Sequence, residues 1–271
     1  MSVQRTFSLA YLTVPGTPPV ELIRMAKEAG YDYVSLRTIP MGQPGEPQAR
    51  LEKDPALFAT VEKALKECGM KPLDIELVRI REDLLEDYRG AFEKAAELGA
   101  TQVLSSVWTK DYSFAADRYA AVCEQAAQFG LTVNLEFPIV SELKTLRDAL
   151  AMQEKVGAQN LKVMMDMIYV HLDGVKPEDI KAVAPEHFGV IRLCDWPKGF
   201  DGGDLTPIVR GGRAYCGEGC VDLAGIIGAL PDTCPISIEL PNLAEMEKRG
   251  ALGHAARCLE TAKSYFAAHG L

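Results

Sequence analysis

The sequence predicts a single (β/α)8 barrel running through residues 1–271. Three observations predict it. Short apolar, β-branched runs alternate with longer segments of helical period from one end of the chain to the other. The strand-like runs number about eight, the count that closes a parallel barrel. No low-complexity linker or shift in composition divides the chain. An open doubly wound sheet is the alternative assembly of the same units.

In order, the expected strands are FSLAYLTV (7–14), YDYVSLR (31–37), PLDIELVRI (72–80), TQVLSSV (101–107), LTVNLEF (131–137), LKVMMDM (161–167), FGVIRLCD (188–195) and PISIEL (235–240). Amphipathic helices fall between them: PPVELIRMAKEAG, DPALFATVEKALKECG, EDYRGAFEKAAELGA, AADRYAAVCEQAAQFG and SELKTLRDALAMQEKVG, with GHAARCLETAKSYFAAHG at the end. Several close on a Gly just before the next strand, the left-handed stop expected of a helix C-terminus. The longest irregular stretch, residues 196–219, follows the seventh strand. Barrel active sites lie at strand C-terminal ends, so this stretch is expected to form a wall or lid of the site.

Composition excludes several classes. The net charge of -9 and the absence of a Lys/Arg run argue against a nucleic-acid partner, which needs a clustered basic face. No apolar run approaches the length of a membrane span, and the start, MSVQRTFSLAYLTV, lacks the pattern of a signal peptide, so a cytoplasmic location with no membrane partner is expected. Seven cysteines, an odd number mostly within apolar runs, suit reduced thiols. Cys216 and Cys220 have no second pair at zinc spacing.

Polar residues at strand C-terminal ends then carry the chemistry. The fifth strand ends in Glu136, the sixth in Asp166, the seventh carries Arg192 and Asp195, and the eighth ends in Glu239. Three carboxylates converging near a barrel axis must share a proton or a cation. Carboxylate oxygens favour hard divalent ions. Residues expected to bind substrate are Arg192, Glu76, Arg37, Trp108, Tyr169, Arg213 and Lys198. Glu76 and Arg79 fall on opposite strand faces by the twofold period, and Glu76 is placed toward the axis. The cations Arg37, Arg79, Lys198 and Arg213 suggest an anionic small-molecule substrate.

The order of these strands, with LCDWP, GEGCVDL and PISIELPN, resembles the xylose-isomerase-like TIM-barrel superfamily, the sugar phosphate isomerase/epimerase group, over essentially the whole chain. The resemblance implies a divalent metal, Mn²⁺, Mg²⁺ or Co²⁺, held by Glu136, Asp166 and Glu239. The fourth ligand, His or Gln in the family, falls here on Arg192, which has no lone pair to give a metal. A histidine common three residues after the metal-binding Asp is replaced by Tyr169, and His171 is out of register.

Two mechanisms follow. A metal polarises a ketone or aldehyde while Glu136 and Glu239 move the adjacent proton, giving isomerisation or epimerisation of a polyhydroxy keto or aldo compound. Alternatively, the Arg192 cation replaces the metal. The same site could dehydrate a cyclic keto acid or inosose, or, with Arg192 paired to Asp166 or Glu239, bind without turnover. The resemblance also implies a homodimer or homotetramer. Apurinic-site endonucleases share the barrel but resemble a histidine-rich three-zinc site, and none of the four histidines, 171, 187, 254 and 269, is assigned to a strand end.

Overall fold

The computed structural model describes residues 5–200 and 202–271. Residues 1–4, where a leader's basic flank would stand, and residue 201 in the long irregular stretch lie outside that description. Eight parallel strands close into a barrel in sequence order: β1 (Phe7–Leu9), β2 (Tyr33–Arg37), β3 (Lys71–Ile80), β4 (Gln102–Val107), β5 (Thr132–Glu136), β6 (Leu161–Asp166), β7 (Phe188–Leu193) and β8 (Ile236–Ile238). β8 returns to β1 with Phe7 opposite Ile236 and Leu9 opposite Ile238. Closure removes the two free edges that a doubly wound sheet would keep.

The outer layer comprises α1 (Pro19–Ala29), α2 (Pro55–Cys68), α3 (Arg89–Glu97), α4 (Tyr112–Ala127), α5 (Leu146–Val156), α6 (Met167–Asp173), α7 (Pro177–Lys181), α8 (Thr206–Gly211), α9 (Leu223–Ala229) and α10 (Leu243–His269). The local chemistry explains their bounds. Asp54 caps α2 by accepting from Leu57 N at 2.9 Å, and Pro55 supplies the fixed φ of a first helical residue. α1 stops at Gly30, whose φ of 88° lies in the left-handed region. Its buried residues Leu22, Ile23 and Ala26 follow the helical period and form one stripe against the sheet. Burial of each large aliphatic contributes on the order of 1.5–3 kcal/mol.

Several expected elements differ in extent, the last helix beginning at Leu243 rather than Gly253. β1 ends at Leu9, because the chain turns into a short 3-10 helix at Tyr11–Thr13. β8 ends at Ile238, leaving Glu239 one residue beyond it. The stretch 196–219 contains α8, which Pro207 at its start favours.

Alternate strand residues face the axis. Leu77, Leu104, Met164 and Val190 form a small apolar cluster, joined by Met41, and Leu77, Leu104 and Met41 also line the cavity described below. The remaining interior is polar: Ser35 Oγ lies 3.0 Å from Ser8 Oγ and 3.1 Å from Ser237 Oγ, and donates to Asp74 Oδ2 at 3.0 Å. This polar ring forms the floor beneath the site.

Candidate active site

Glu136 and Asp166 are the last residues of β5 and β6, and Glu239 follows β8 with its N–H donating to Leu193 O at 3.1 Å. All three are buried. One carboxylate oxygen from each lies within 4.8 Å of the others. Asp166 is oriented locally, because it also caps α6 by accepting from Ile168 N at 3.0 Å.

Arg213 reaches this triad from the long stretch after β7. Two isolated bridges, Asp195 with Ala214 and Gly212 with Asn242, fold that stretch back onto the barrel mouth. Arg213 Nη1 then donates to Asp166 Oδ2 at 3.0 Å and to Glu239 O at 3.0 Å, and Nη2 lies 3.2 Å from Glu239 Oε2. Nε donates to Val209 O at 3.1 Å, and the guanidinium carbon sits 5.9 Å from the centroid of the Tyr169 ring. Asp195 anchors the fold-back: its carboxylate accepts from the N–H groups of Trp196, Gly217, Gly219 and Val221. Position 219 requires glycine, since a Cβ there would meet Asp195 Oδ1 and Trp196 O at 2.2 Å.

On the opposite side of the cavity, Glu76 is fully buried, and Arg37 donates to it (Nη2 to Oε2, 3.0 Å) and to Glu46 (Nη1 to Oε1, 3.0 Å). Glu46 is fixed in turn by the N–H groups of Met41, Gly42 and Gln43. Trp108 lines the cavity and donates from Nε1 to Ser106 Oγ at 2.8 Å. The cavity has a volume of about 470 Å3 and includes Arg37, Glu76, Trp108, Glu136, Tyr169, Arg213 and Glu239 in its lining.

Two expected substrate-binding residues lie elsewhere. Arg192 is fully buried beneath the floor: Nη1 donates to Ser237 Oγ at 2.8 Å, and Nη2 lies 3.7 Å from Asp74 Oδ1 and 3.6 Å from Glu76 Oε2. The length of its side chain carries the charge across the barrel to β3, so its ion-pair partners are Asp74 and Glu76 rather than Asp166 or Glu239. Lys198 is exposed and lines a separate groove with Glu218, Glu245 and Arg249.

Three of the cations on which the expectation of an anionic substrate rests are engaged within the protein. Arg37 and Arg213 line the cavity, but each is already paired with two carboxylates. Arg79 turns away to donate to Met41 O at 3.3 Å.

Sequence reasoning missed Glu46, Ser106, Asp74 and Ser237. The twofold strand period could have found the last three. Glu46 lies in the loop MGQPGEPQA, where only its fold places it near Arg37.

The electrostatics are uneven. Burial, reinforced by the charges of Glu239 and Asp166, pushes the Glu136 carboxyl well above the usual range. Burial also raises Asp166, against the attraction of Arg213. For Glu239, burial acts upward, but Arg192, Arg213 and Arg37 more than offset it and hold the carboxyl below its ordinary value. Beneath the floor, burial pushes Asp74 up to about 6 against the attraction of Arg192.

The donor set suits a hard divalent cation. It consists of carboxylate oxygens alone, and Glu136 Oε1 is buried without a hydrogen-bond partner that a cation would replace. Glu136, Asp166 and Glu239 thus fit such an ion as a three-carboxylate site, with solvent or substrate oxygens completing its shell. Arg192 contributes no ligand, and Arg213 already bonds one oxygen each of Asp166 and Glu239. Among the described residues, no histidine belongs to a group of three or more His, Cys, Asp or Glu side chains that could hold a metal ion. His254, for example, is buried between Tyr215 Oη at 2.8 Å and Leu240 O at 2.9 Å.

A closed parallel barrel with a carboxylate cluster inside its C-terminal mouth defines the architectural class. Within it, the chain belongs to the xylose isomerase-like TIM barrel family, whose model matches residues 23–262. Similar solved structures include the zinc-bound IolI protein, at 17% identity and a TM-score of 0.80 over 97% of this chain and 99% of that one. The probable 3-DHS dehydratase AsbF, involved in petrobactin synthesis in Bacillus anthracis, is 16% identical with a TM-score of 0.71 over 95% of this chain and 98% of its own. A D-allulose 3-epimerase from Methylomonas sp. is 16% identical with a TM-score of 0.69 over 97% and 98% of the two chains. At these identities the likeness is one of fold. No curated protein matches in sequence. No helix among the described residues is long and apolar enough to cross a membrane.

Proposed function

We propose that this chain is an isomerase or epimerase that moves a proton on the carbon beside the carbonyl of a small polyhydroxy keto or aldo compound. The observation that carries this reading is the convergence of Glu136 and Glu239, from strands on different sides of the barrel, on one cavity floor with the Arg213 guanidinium beside Glu239.

The hydrogen bonds support one division of roles. Glu239 Oε2 faces Arg213 Nη2 and is held as the carboxylate that removes the α-proton. The electron pair of the broken C–H bond moves onto the carbonyl oxygen, giving an enediolate. Glu136 Oε1, buried without a donor, carries the proton that is returned to carbon. Solvent then takes the proton from Glu239 and reprotonates Glu136, and in isomerisation the neighbouring hydroxyl proton moves to the former carbonyl oxygen. The N–H groups of Arg213 stand beside the developing negative charge, where a preorganised donor accelerates most. Arg37 and Glu76 orient substrate hydroxyls. A divalent ion on Glu136, Asp166 and Glu239 would add Lewis-acid polarisation of the substrate oxygens.

Solvent exchange tests the reading. Ketoses and cyclic polyhydroxy ketones are incubated in D2O with added Mn²⁺ and, separately, with chelator. Wild-type protein is expected to exchange the α-proton of at least one, and Glu239→Gln to lose this by at least about 100-fold. Absence of exchange in every case, or exchange surviving in both Glu239→Gln and Glu136→Gln, rejects it.

A further inference from the structure

We propose that the substrate of this site is amphiphilic: an uncharged polyhydroxy keto or aldo head carrying an apolar substituent about the size of a phenyl ring. The inference rests on the proton-transfer reading for the head and on a separate feature of the cavity for the substituent.

The cavity lining sets buried charged groups beside a large apolar share. The ionisable side chains Glu76, Glu136, Glu239, Arg37 and Arg213 are all buried. The apolar side chains of the lining include Leu12, Met41, Trp108, Pro138, Val140 and Leu243. A hexose presents hydroxyl groups over most of its surface, and such side chains would strip their water without returning hydrogen bonds. The volume of about 470 Å3 also lies in the range that houses drug-sized ligands rather than one sugar ring.

The rim itself points the same way. Val140 is 41% and Leu243 51% exposed, and both line this cavity. Large apolar side chains held open to water at the mouth of a polar site are a cost unless something covers them. Leu243 packs closely over Gly211, where a Cβ would meet its side-chain carbons at 2.9 Å. The deep cations are paired with carboxylates, and Arg210, the remaining arginine of the lining, is exposed and donates to Gln43 Oε1 at 3.3 Å. A charged head group therefore has no unpaired partner at the floor.

Isothermal titration with phenyl β-D-glucopyranoside and D-glucose tests the preference. The aryl glycoside should bind at least about tenfold more tightly, the gain expected from burying one apolar face of the ring. The double variant Val140→Ser/Leu243→Ser, changed at exposed positions and checked for an unaltered Tm, should lose that advantage. Equal binding, binding of neither ligand, or an advantage retained by the variant overturns the inference. The two readings fail separately. An aryl preference without α-proton exchange from any ketone rejects proton transfer alone. Exchange with equal kcat/KM for free and aryl-substituted ketones rejects the amphiphilic substrate alone.

Discussion

Arg192 shows how far a single residue can be read from sequence. The strand period places it on the inner face of β7, and the register sets it beside Asp166 and Ser237. Its partners are another matter: a guanidinium on a long stem reaches across the barrel, and Asp74 and Glu76 come from a strand more than a hundred residues earlier. Period two tells which side chains enter the axis but not which of them meet. The pairing has a consequence for metal affinity. A histidine at 192 would end short of β3, near the triad, and offer the missing neutral ligand. The double variant Arg192→His/Asp74→Asn, in which the acid left without its cation is also neutralised, is expected to bind Mn²⁺ or Zn²⁺ at least tenfold more tightly by competition with a fluorescent chelator. Unchanged or weaker affinity would show that position 192 does not control the cation site.

At the scale of elements, the segment after β7 is the most informative. Its length and place predict a wall of the site, and it does deliver Arg213 to the triad. The sequence did not disclose α8 within it, because six residues ending in Gly211, with Gly202, Gly203 and Gly212 nearby, carry too little periodicity to register as a helix. Nor did it disclose that Asp195, expected among the polar strand-end residues, serves the backbone. Its four N–H contacts hold residues 217–221 and the adjoining bridge to Ala214. Asp195→Ala leaves those donors unsatisfied in a buried setting and is expected to cost about 2–4 kcal/mol, lowering Tm by on the order of 5–10 °C. Asp195→Asn keeps the Oδ1 acceptor for Trp196 and Val221 and should lose less. A Tm within 1 °C of wild type for Asp195→Ala would remove Asp195 as the anchor, ~1 °C being the effect of an indifferent surface change.

Across the whole molecule, the barrel was legible because its signal repeats eight times, so an error at one strand, such as the overlong β1 and β8, leaves the closure intact. The acidic triad was legible for a related reason: strand ends in a closed barrel converge, whatever the details of packing. The cavity walls were not. Leu12, Met41, Val140 and Leu243 come from four separate loops or helix starts, and only the finished fold brings them around one opening. The central claim is that this opening leads to two glutamates with distinct duties, Glu239 taking the proton and Glu136 returning one. The most direct measurement is the early partition of deuterium when a keto substrate turns over in D2O. Product should carry solvent deuterium at the reacting carbon while recovered substrate stays protonated there, because substrate returning from the enediolate regains its own proton from Glu239. Equal labelling of substrate and product, or a product without deuterium, would contradict the account.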